Sequence, residues 1–253
     1  MKFHDRALVL RRIPFQESSL VIHFFTRERG SQSLIARGIR SRKGPERATL
    51  AGFHTINIQG YCRSPQTLGT LLQTDIVHGR HRVREIPLAM AAAQVIQEML
   101  YRHVPQGDAH TSLFDQVESA LDQLDIGQNP LALLISMQGV TLRAIGYGWR
   151  TDACAGCGCE EALVYFSVRR AQTVCHACGL PYAKHLFSIN AVERQAMTSL
   201  TLPNGLALLS PEEQLNLFRI SSACFLRFGG YPIDSERYFR HLMGMEAQPN
   251  PPS

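Results

Sequence analysis

The chain has 253 residues, of which 45% are hydrophobic and 19% charged, proportions that are ordinary for a soluble globular protein. The length allows a buried core and two domains. No run of about 18 apolar residues predicts a membrane span, and we expect no secretory signal. Seven cysteines, five of them within residues 154–178, disfavour a secreted disulfide framework. We therefore expect a cytoplasmic protein with reduced thiols.

The charge is unevenly divided along the chain. The net charge is +5, but residues 1–86 contain 15 Lys and Arg against 6 Asp and Glu, a net of +9. Residues 87–253 contain 11 against 15, a net of −4. A basic front part favours a polyanionic partner such as nucleic acid. The alternative is that the charge serves solubility alone.

Residues 1–80 predict a small β-barrel. Five short apolar and β-branched runs, separated by turn residues, have the length and pattern of strands. They cover residues 6–13, 18–26, 32–39, 53–61 and 67–77, and the first run stops before Pro14. Five strands in so short a segment suit an oligonucleotide-binding barrel (OB-fold). Strand count alone leaves an SH3-like barrel open.

From Pro87 onward the apolar residues recur at helical spacing. We expect helices over 88–103, 111–124, 129–145, 188–200, 210–225 and 235–243, with their apolar stripes forming the core of a bundle. The prediction is an α+β multidomain protein, an N-terminal five-stranded OB-fold β-barrel followed by an all-α domain with an inserted four-cysteine zinc finger. Its expected segments are the OB-fold at 1–80, helical parts at 81–150 and 183–243, the zinc-binding insertion at 151–182 and a flexible tail at 244–253.

The cysteines form two similar units. They are Cys154-Ala-Gly-Cys157-Gly and Cys175-His-Ala-Cys178-Gly, and seventeen residues separate Cys157 from Cys175, a spacing typical of four-thiolate zinc sites. Four sulfurs complete a tetrahedron and leave no position for water, so the expected single ion is structural. Two other ligands stay open: Cys159 in place of Cys157, and His176. A redox dithiol pair and uncoordinated thiols are the remaining alternatives.

A basic loop follows the third predicted strand. Its five cations are Arg37, Arg40, Arg42, Lys43 and Arg47, and Glu46 is its one anion. Cations on a flexible, glycine-containing loop can follow a phosphate backbone, with little sequence specificity. The alternative is a solvated charge run. Phe53 and Tyr61 could stack on bases, but they could equally belong to the barrel core.

A second basic stretch follows the fifth predicted strand. It consists of Arg80, Arg82 and Arg84, interleaved with His78 and His81. We consider it a weaker candidate for contact with nucleic acid. The sequence shows no HExxH motif, no phosphate-binding glycine-rich loop and no cluster of acidic residues and histidines spaced for an open metal site. An enzyme is therefore disfavoured.

Taken together, these features resemble the RecO family of bacterial DNA repair proteins over nearly the whole chain. The resemblance is carried by Asp5-Arg6-Ala7-Leu8-Val9-Leu10, Ser19-Leu20-Val21, Phe25-Thr26-Arg27-Glu28-Arg29-Gly30, Ala36-Arg37-Gly38-Ile39-Arg40, residues 143–148, the cysteine units with Phe166-Ser167, and Gly230 and Ser235 with Arg237-Tyr238-Phe239. One departure is Ala171-Gln172, where family members often carry a Gly-Gly turn. The hairpin before Cys175 should therefore use a different turn.

The resemblance implies a non-enzymatic recombination mediator of the RecF pathway. Such a protein binds single- and double-stranded DNA and anneals complementary strands. With RecR it promotes loading of RecA onto DNA coated by single-strand-binding protein, whose C-terminal tail it also binds. We accordingly expect a cytoplasmic, nucleoid-associated protein. A zinc-ribbon RNA-binding protein is the alternative.

Overall fold

The computed structural model describes residues 1–41, 48–50, 52–64, 67–199, 206 and 208–245. The chain divides into two compact units, Met1–Gln128 and Asn129–Ser253. The first two long helices therefore cluster with the barrel, whereas the sequence analysis grouped them with the later helices. None of the helices in the described part of the chain has the length and hydrophobicity of a membrane-spanning segment.

The first unit contains a closed five-stranded barrel. Its strands are β1 (Lys2–Phe15), β2 (Ser19–Thr26), β3 (Gly30–Ala36), β4 (Thr55–Tyr61) and β5 (Gly69–His78), in the order β1-β2-β3-β5-β4. Neighbouring strands are antiparallel except β3 and β5, which pair in parallel through Leu34 opposite Gly69 and Ile35 opposite Thr70. The predicted OB-fold is confirmed.

Alternation along the strands fills the barrel. Side chains of each strand point alternately inward and outward, and most inward positions of β1 to β4 carry apolar residues. The buried polar exceptions are Asp5 and Gln32, which pair with the core residues Ile58 and Phe24. The buried core includes Phe3, Ala7, Val9, Ile22, Phe24, Leu34, Ile56 and Ile58. β1 can serve two neighbours because its first half pairs with β4 and its second half with β2. An irregularity between Val9 and Arg11 marks the bend between the two halves.

Two helices complete the first unit. A 3-10 turn at Arg82–Arg84 leads into α1 (Pro87–His103), which has Pro87 in its first turn, and α2 follows at Thr111–Asp125. Proline suits a first turn because its missing N–H has no partner there in any helix. The apolar stripes of α1 and α2 are buried, as predicted.

The second unit is mainly helical. Its elements are α3 (Pro130–Ala144), β6 (Leu163–Ser167), a 3-10 turn (Val168–Arg170), β7 (Gln172–Cys175), α4 (His176–Gly179), a 3-10 turn (Leu180–His185), β8 (Phe187–Ser188), α5 (Ala191–Thr198), α6 (Pro211–Gly229) and α7 (Asp234–Leu242). Strands β7, β6 and β8 form a small sheet in that order. Asn190 and Ser210 begin α5 and α6 with complete capping boxes.

The start of α5 differs from the prediction. The apolar pattern from Ser188 predicted helix, but Phe187–Ser188 form β8 and the Ile189 N–H donates to the Val164 carbonyl. Sheet pairing with β6 therefore delays the helix until the Asn190 cap. Of the predicted tail, residues 246–253 lie outside the described part of the chain. The predicted domain boundaries stay predictions.

Candidate nucleic-acid interface and metal centre

The outer face of β1, β2 and β3 presents two rows of paired side chains. Ile13 lies opposite Val21, which lies opposite Ile35; Arg11 lies opposite His23, which lies opposite Ser33. Paired residues on neighbouring strands point to the same side of a sheet, and the intervening Ile22 and Leu34 are inside the barrel. Ile13 and Phe15 remain 36% and 37% exposed. The face thus combines apolar surface with a cation.

Two of the predicted loop cations border this face. Arg37, two residues beyond Ile35, is exposed. The Arg40 N–H donates to the Ser18 carbonyl (2.9 Å) and its guanidinium Nη1 to the Gln16 carbonyl (3.3 Å). Gln16, in the turn between β1 and β2, has a left-handed backbone with φ 53°. These bonds hold Arg40 beside the turn, next to the Phe15 end of the apolar row.

Arg42, Lys43 and Arg47 are predicted site residues without a described position. All three lie outside the residues that the structure describes. Of the two predicted stacking residues, Phe53 is buried, in agreement with a place in the core, and Tyr61 is 46% exposed on β4. Tyr61 pairs with Lys2. It therefore lies on a different part of the barrel surface from the β1–β3 face.

A contact from α1 fixes the polar row. The His23 ring packs edge-on against Tyr101 (ring centroids 5.0 Å apart), and its Nδ1 lies 2.9 Å from the Ser33 hydroxyl. The Arg11 guanidinium lies 5.1 Å from the centre of the Tyr101 ring. Burial, together with the Arg11 charge, lowers the pKa of His23. At neutral pH the row therefore carries the charge of Arg11 and a neutral imidazole.

The sequence analysis placed Arg11 and Ile13 on the first strand without assigning them to a binding face, and it left out Phe15 because it ended that strand before Pro14. β4 pairs with β1 only as far as Leu8, so the later residues of β1, including Pro14, pair with β2. The strand can therefore continue through Pro14 to Phe15. Proline is tolerated at such an edge, where its missing N–H breaks no ladder. The signal that could have revealed the face is the alternation of Arg11, Ile13 and Phe15.

Arg80, part of the weaker candidate stretch for contact with nucleic acid, does not reach the surface, and its inclusion there is wrong. Its side chain is fully buried. Nη1 donates to the Phe53 carbonyl and the Thr55 hydroxyl, both at 2.9 Å, and Nε donates to Asp122 at 2.6 Å. Arg82 and Arg84 are exposed. Arg80 is thus a structural residue that joins β4 to α2.

The four cysteines of the two Cys-x-x-Cys units converge in the second unit. Their four sulfur atoms all lie within 4.8 Å of one another; the residues are Cys154, Cys157, Cys175 and Cys178. The Cys157 and Cys175 sulfurs are 3.8 Å apart. A tetrahedron of sulfurs about 2.3 Å from a zinc ion has edges of about 3.8 Å. The donor set and spacing can therefore hold a metal ion.

Backbone amides point at the Cys154 sulfur. The N–H groups of Gly156 and Cys175 each donate to it at 3.3 Å. Although burial raises the pKa of the Cys154 thiol, these bonds lower it overall. The neighbouring sulfurs raise the pKa of Cys178. A cation at the centre would relieve this crowding of developing negative charge.

Glycine makes room in the first Cys-x-x-Cys unit. A Cβ on Gly156 would lie 3.0 Å from the Cys178 sulfur, and Gly158 has φ +77°.

The two alternative ligands, Cys159 and His176, make contacts of their own outside the group of four cysteines. The Cys159 thiol donates to the Glu161 carbonyl at 3.5 Å, and the exposed His176 ring stacks on Tyr165 with centroids 6.3 Å apart. The geometry brings together the four cysteines that the sequence analysis favoured.

The hairpin before Cys175 uses a different turn, as expected from the absent Gly-Gly pair. A 3-10 turn at Val168–Arg170 ends at Ala171, whose φ of 48° and ψ of 40° are left-handed. The Ala171 carbonyl accepts from the Arg150 N–H at 2.9 Å. β6 and β7 therefore still pair, and β7 delivers Cys175 to the cluster.

Known proteins match the chain along most of its length. The family model described as "Recombination protein O N terminal" matches residues 1–80, and "Recombination protein O C terminal" matches residues 84–227. Among relatives named "DNA repair protein RecO", that of Anaeromyxobacter dehalogenans is 33% identical over 189 residues, 70% of this chain and 73% of the relative. That of Exiguobacterium sibiricum is 26% identical over 249 residues, 94% and 96% of the two chains. That of Brucella abortus is 26% identical over 192 residues, 75% of each. Since the second model alone spans more than half of the chain, this chain belongs to the RecO family of DNA repair proteins.

Proposed function

We propose that the chain binds single-stranded DNA on the β1–β3 face and anneals complementary strands. The observation that carries the proposal is the half-exposed Ile13 and Phe15, bordered by Arg11, Arg37 and Arg40. An aromatic ring stacks on any base, and guanidinium groups neutralise the phosphates on either side. We propose the loop cations Arg42, Lys43 and Arg47, which lie outside the described residues, as further phosphate contacts.

The face carries few groups that could read a base edge. Its polar row consists of Arg11, His23 and Ser33, and His23 is already engaged by Tyr101 and Ser33. Stacking and charge neutralisation are sequence-tolerant. We therefore propose binding with little sequence specificity, which suits a protein that must pair strands of any sequence.

We further propose that the chain acts as a mediator rather than as an enzyme. In this role it binds single- and double-stranded DNA, cooperates with RecR and promotes RecA loading onto DNA coated by single-strand-binding protein, whose C-terminal tail it contacts. The family membership and the basic barrel support this role. It would place the protein in the cytoplasm, at the nucleoid.

Charge and aromatic variants of the full chain test the DNA site. In the Arg37→Gln/Arg40→Gln variant we expect weaker binding to an oligonucleotide. The slope of log K against log salt should fall by about 0.7 for each phosphate that the variant no longer neutralises. Phe15→Ala should weaken binding by about fivefold to a hundredfold, the value of one stacked base. Fluorescence anisotropy at several salt concentrations measures both effects.

Two comparison variants control the experiment. Tyr61→Ala removes an exposed aromatic residue on β4, and Arg82→Gln removes an exposed cation at the 3-10 turn. Both should bind DNA as the wild type does. Equal affinity of the wild type and the face variants would refute the proposed site, and a loss confined to Arg82→Gln would move it to the second basic stretch.

We also propose that the four-cysteine cluster binds one structural zinc ion. Cys154, Cys157, Cys175 and Cys178 would hold it with no open position, so that the ion braces the second unit. Metal analysis of the purified chain should give about one zinc per chain. Cys157→Ser should lose the ion and the matched Cys159→Ser should keep it. Zinc retention by Cys157→Ser together with loss by Cys159→Ser would assign the ligand to Cys159.

A further inference from the structure

Two helices of the second unit end beside each other in a stacked aromatic pair, of which Tyr147 is exposed and Phe228 is half-buried. Tyr147, just beyond α3, stacks on Phe228 in the last turn of α6, with ring centroids 4.6 Å apart and planes 17° apart. Tyr147 is 44% exposed. We call this surface, with Arg143 and Arg227, the helix-end platform. None of its four residues belongs to the cysteine cluster or to the barrel face.

The platform is held in place by its backbone. Gly146 has φ +92°, and the Tyr147 N–H donates to the Leu142 carbonyl at 2.8 Å, which ends α3 in a tight turn. The stem of Arg143 lies against Gly148, where an added Cβ would be 3.4 Å from Arg143 Cγ. The Arg227 guanidinium lies 6.0 Å from the centre of the Phe228 ring. The stacked rings therefore form a preformed surface.

The chain segments that carry the platform contain only positive charges, although Asp152 and Asp234 follow directly after them. Residues 139–151 and 222–233 contain three arginines, at positions 143, 150 and 227, and no Asp or Glu. The whole of residues 129–253 contains 10 Lys and Arg against 9 Asp and Glu. The local excess of positive charge is therefore a property of this end of the helices and not of the unit as a whole.

We propose that the helix-end platform binds a single strand of DNA, by stacking of a base on Tyr147 and contact of its phosphates with Arg143 and Arg227. Flat rings next to guanidinium groups complement a ligand that has both π-faces and phosphates. The carbonyl ends of α3 and α6 carry partial negative charge, which disfavours a purely anionic ligand such as an acidic peptide. A ligand that also offers uncharged faces to stack is favoured.

The role of this site in annealing rests on the function proposed above. A protein speeds annealing when it holds two strands close together, and the β1–β3 face provides for one strand. The helix-end platform provides for the second strand in this scheme. It thereby assigns one strand to each of the two compact units.

The test uses the full chain and a variant pair matched in chemistry. Tyr147→Leu/Arg227→Gln alters the platform, whereas Tyr238→Leu/Arg237→Gln removes an equally exposed tyrosine and arginine on α7. We expect the platform variant to anneal complementary oligonucleotides about tenfold more slowly, the loss of roughly one stacking interaction. Its affinity for trace amounts of one strand should stay within about twofold of the wild type. The α7 variant should behave as the wild type in both assays.

Photo-crosslinking gives an independent readout. An oligonucleotide containing 5-iododeoxyuridine, in excess over the wild-type chain, should crosslink to the peptide that contains Tyr147, and mass spectrometry identifies that peptide. Wild-type annealing without this crosslink, or an unchanged annealing rate in the platform variant, would overturn the inference. An equal loss of first-strand affinity would also overturn it, because the platform would then belong to the first site. A wild type that neither binds nor anneals DNA would instead refute the proposed function.

Discussion

The buried guanidinium of Arg80 gives the sharpest prediction for the first unit. In Arg80→Met the Phe53 carbonyl and the Thr55 hydroxyl, each bonded to Nη1 at 2.9 Å, lose their partner. A buried polar group without a partner costs about 1–3 kcal/mol. The bond to Asp122 adds less than about 1 kcal/mol, because that side chain is 40% exposed and water can replace the arginine. Methionine keeps part of the packing, so we expect a loss of about 3 kcal/mol in all.

Hydrogen exchange with mass spectrometry locates this loss within the full chain. Amides of β4 and α2 should exchange roughly a hundredfold faster, since each 1.4 kcal/mol or so is a factor of ten. Arg82→Met changes an exposed arginine two residues away and should alter exchange by less than about threefold, or 0.5 kcal/mol. If Arg80→Met left this protection unchanged but weakened DNA binding, the arginine would be a phosphate contact and our reasoning would fail.

Two further predictions concern backbone strain and pH. Ala171→Gly should stabilise the second unit by about 0.5–1 kcal/mol, because glycine adopts the left-handed φ of 48° without the penalty of a Cβ. The control variant Ala183→Gly changes a position without positive φ and should destabilise the unit. Denaturant unfolding, followed by the fluorescence of the single tryptophan, Trp149, measures both changes in stability. A result of the same sign for both variants would contradict the strain argument. Burial, followed by the charges of His81, Arg84 and Arg80, lowers the pKa of His54 below its ordinary 6.5. The folded state therefore binds fewer protons than the unfolded state, so this contribution to stability is present above about pH 6.5 and is lost as the pH falls below it. Urea unfolding at pH 7.5 and 5.5 should show a smaller loss in His54→Asn, whose amide oxygen can still accept the Arg80 N–H but does not titrate; an equal loss in both proteins would exclude His54 as the cause.

The barrel could be predicted from the sequence because its strands alternate and its turns use characteristic residues. Ile56 and Ile58, for example, are buried between the outward-facing Asn57 and Gln59. The convergence of the cysteines was also predictable, since two Cys-x-x-Cys-Gly units leave few other arrangements for four thiolates. In both cases local pattern and tertiary structure agree.

The remaining features depend on neighbours that a local pattern does not contain. A proline such as Pro14 is excluded from a strand only where both edges are paired, and in the described part of the chain β1 is paired on one edge at this position. Arg80 looks like part of a basic stretch, but its side-chain acceptors are Phe53, Thr55 on β4 and Asp122 on α2. Likewise Ser188 leaves the helix because β6 offers it a partner. Tertiary pairing overrode local propensity at each of these positions.

The unpaired end of β1 has a consequence for solubility. Beyond Leu8, β1 is bonded to β2 on one side, and on the other side it has no strand partner among the residues that the structure describes. This part of β1 carries the apolar Ile13 and Phe15. Such an edge invites a strand of another molecule to add to it and so begin aggregation. Pro14 lacks the N–H that an added strand would need, and Arg11 and Arg12 place charge on it. The same few residues can thus stay available to an extended ligand while resisting association with further copies of the chain.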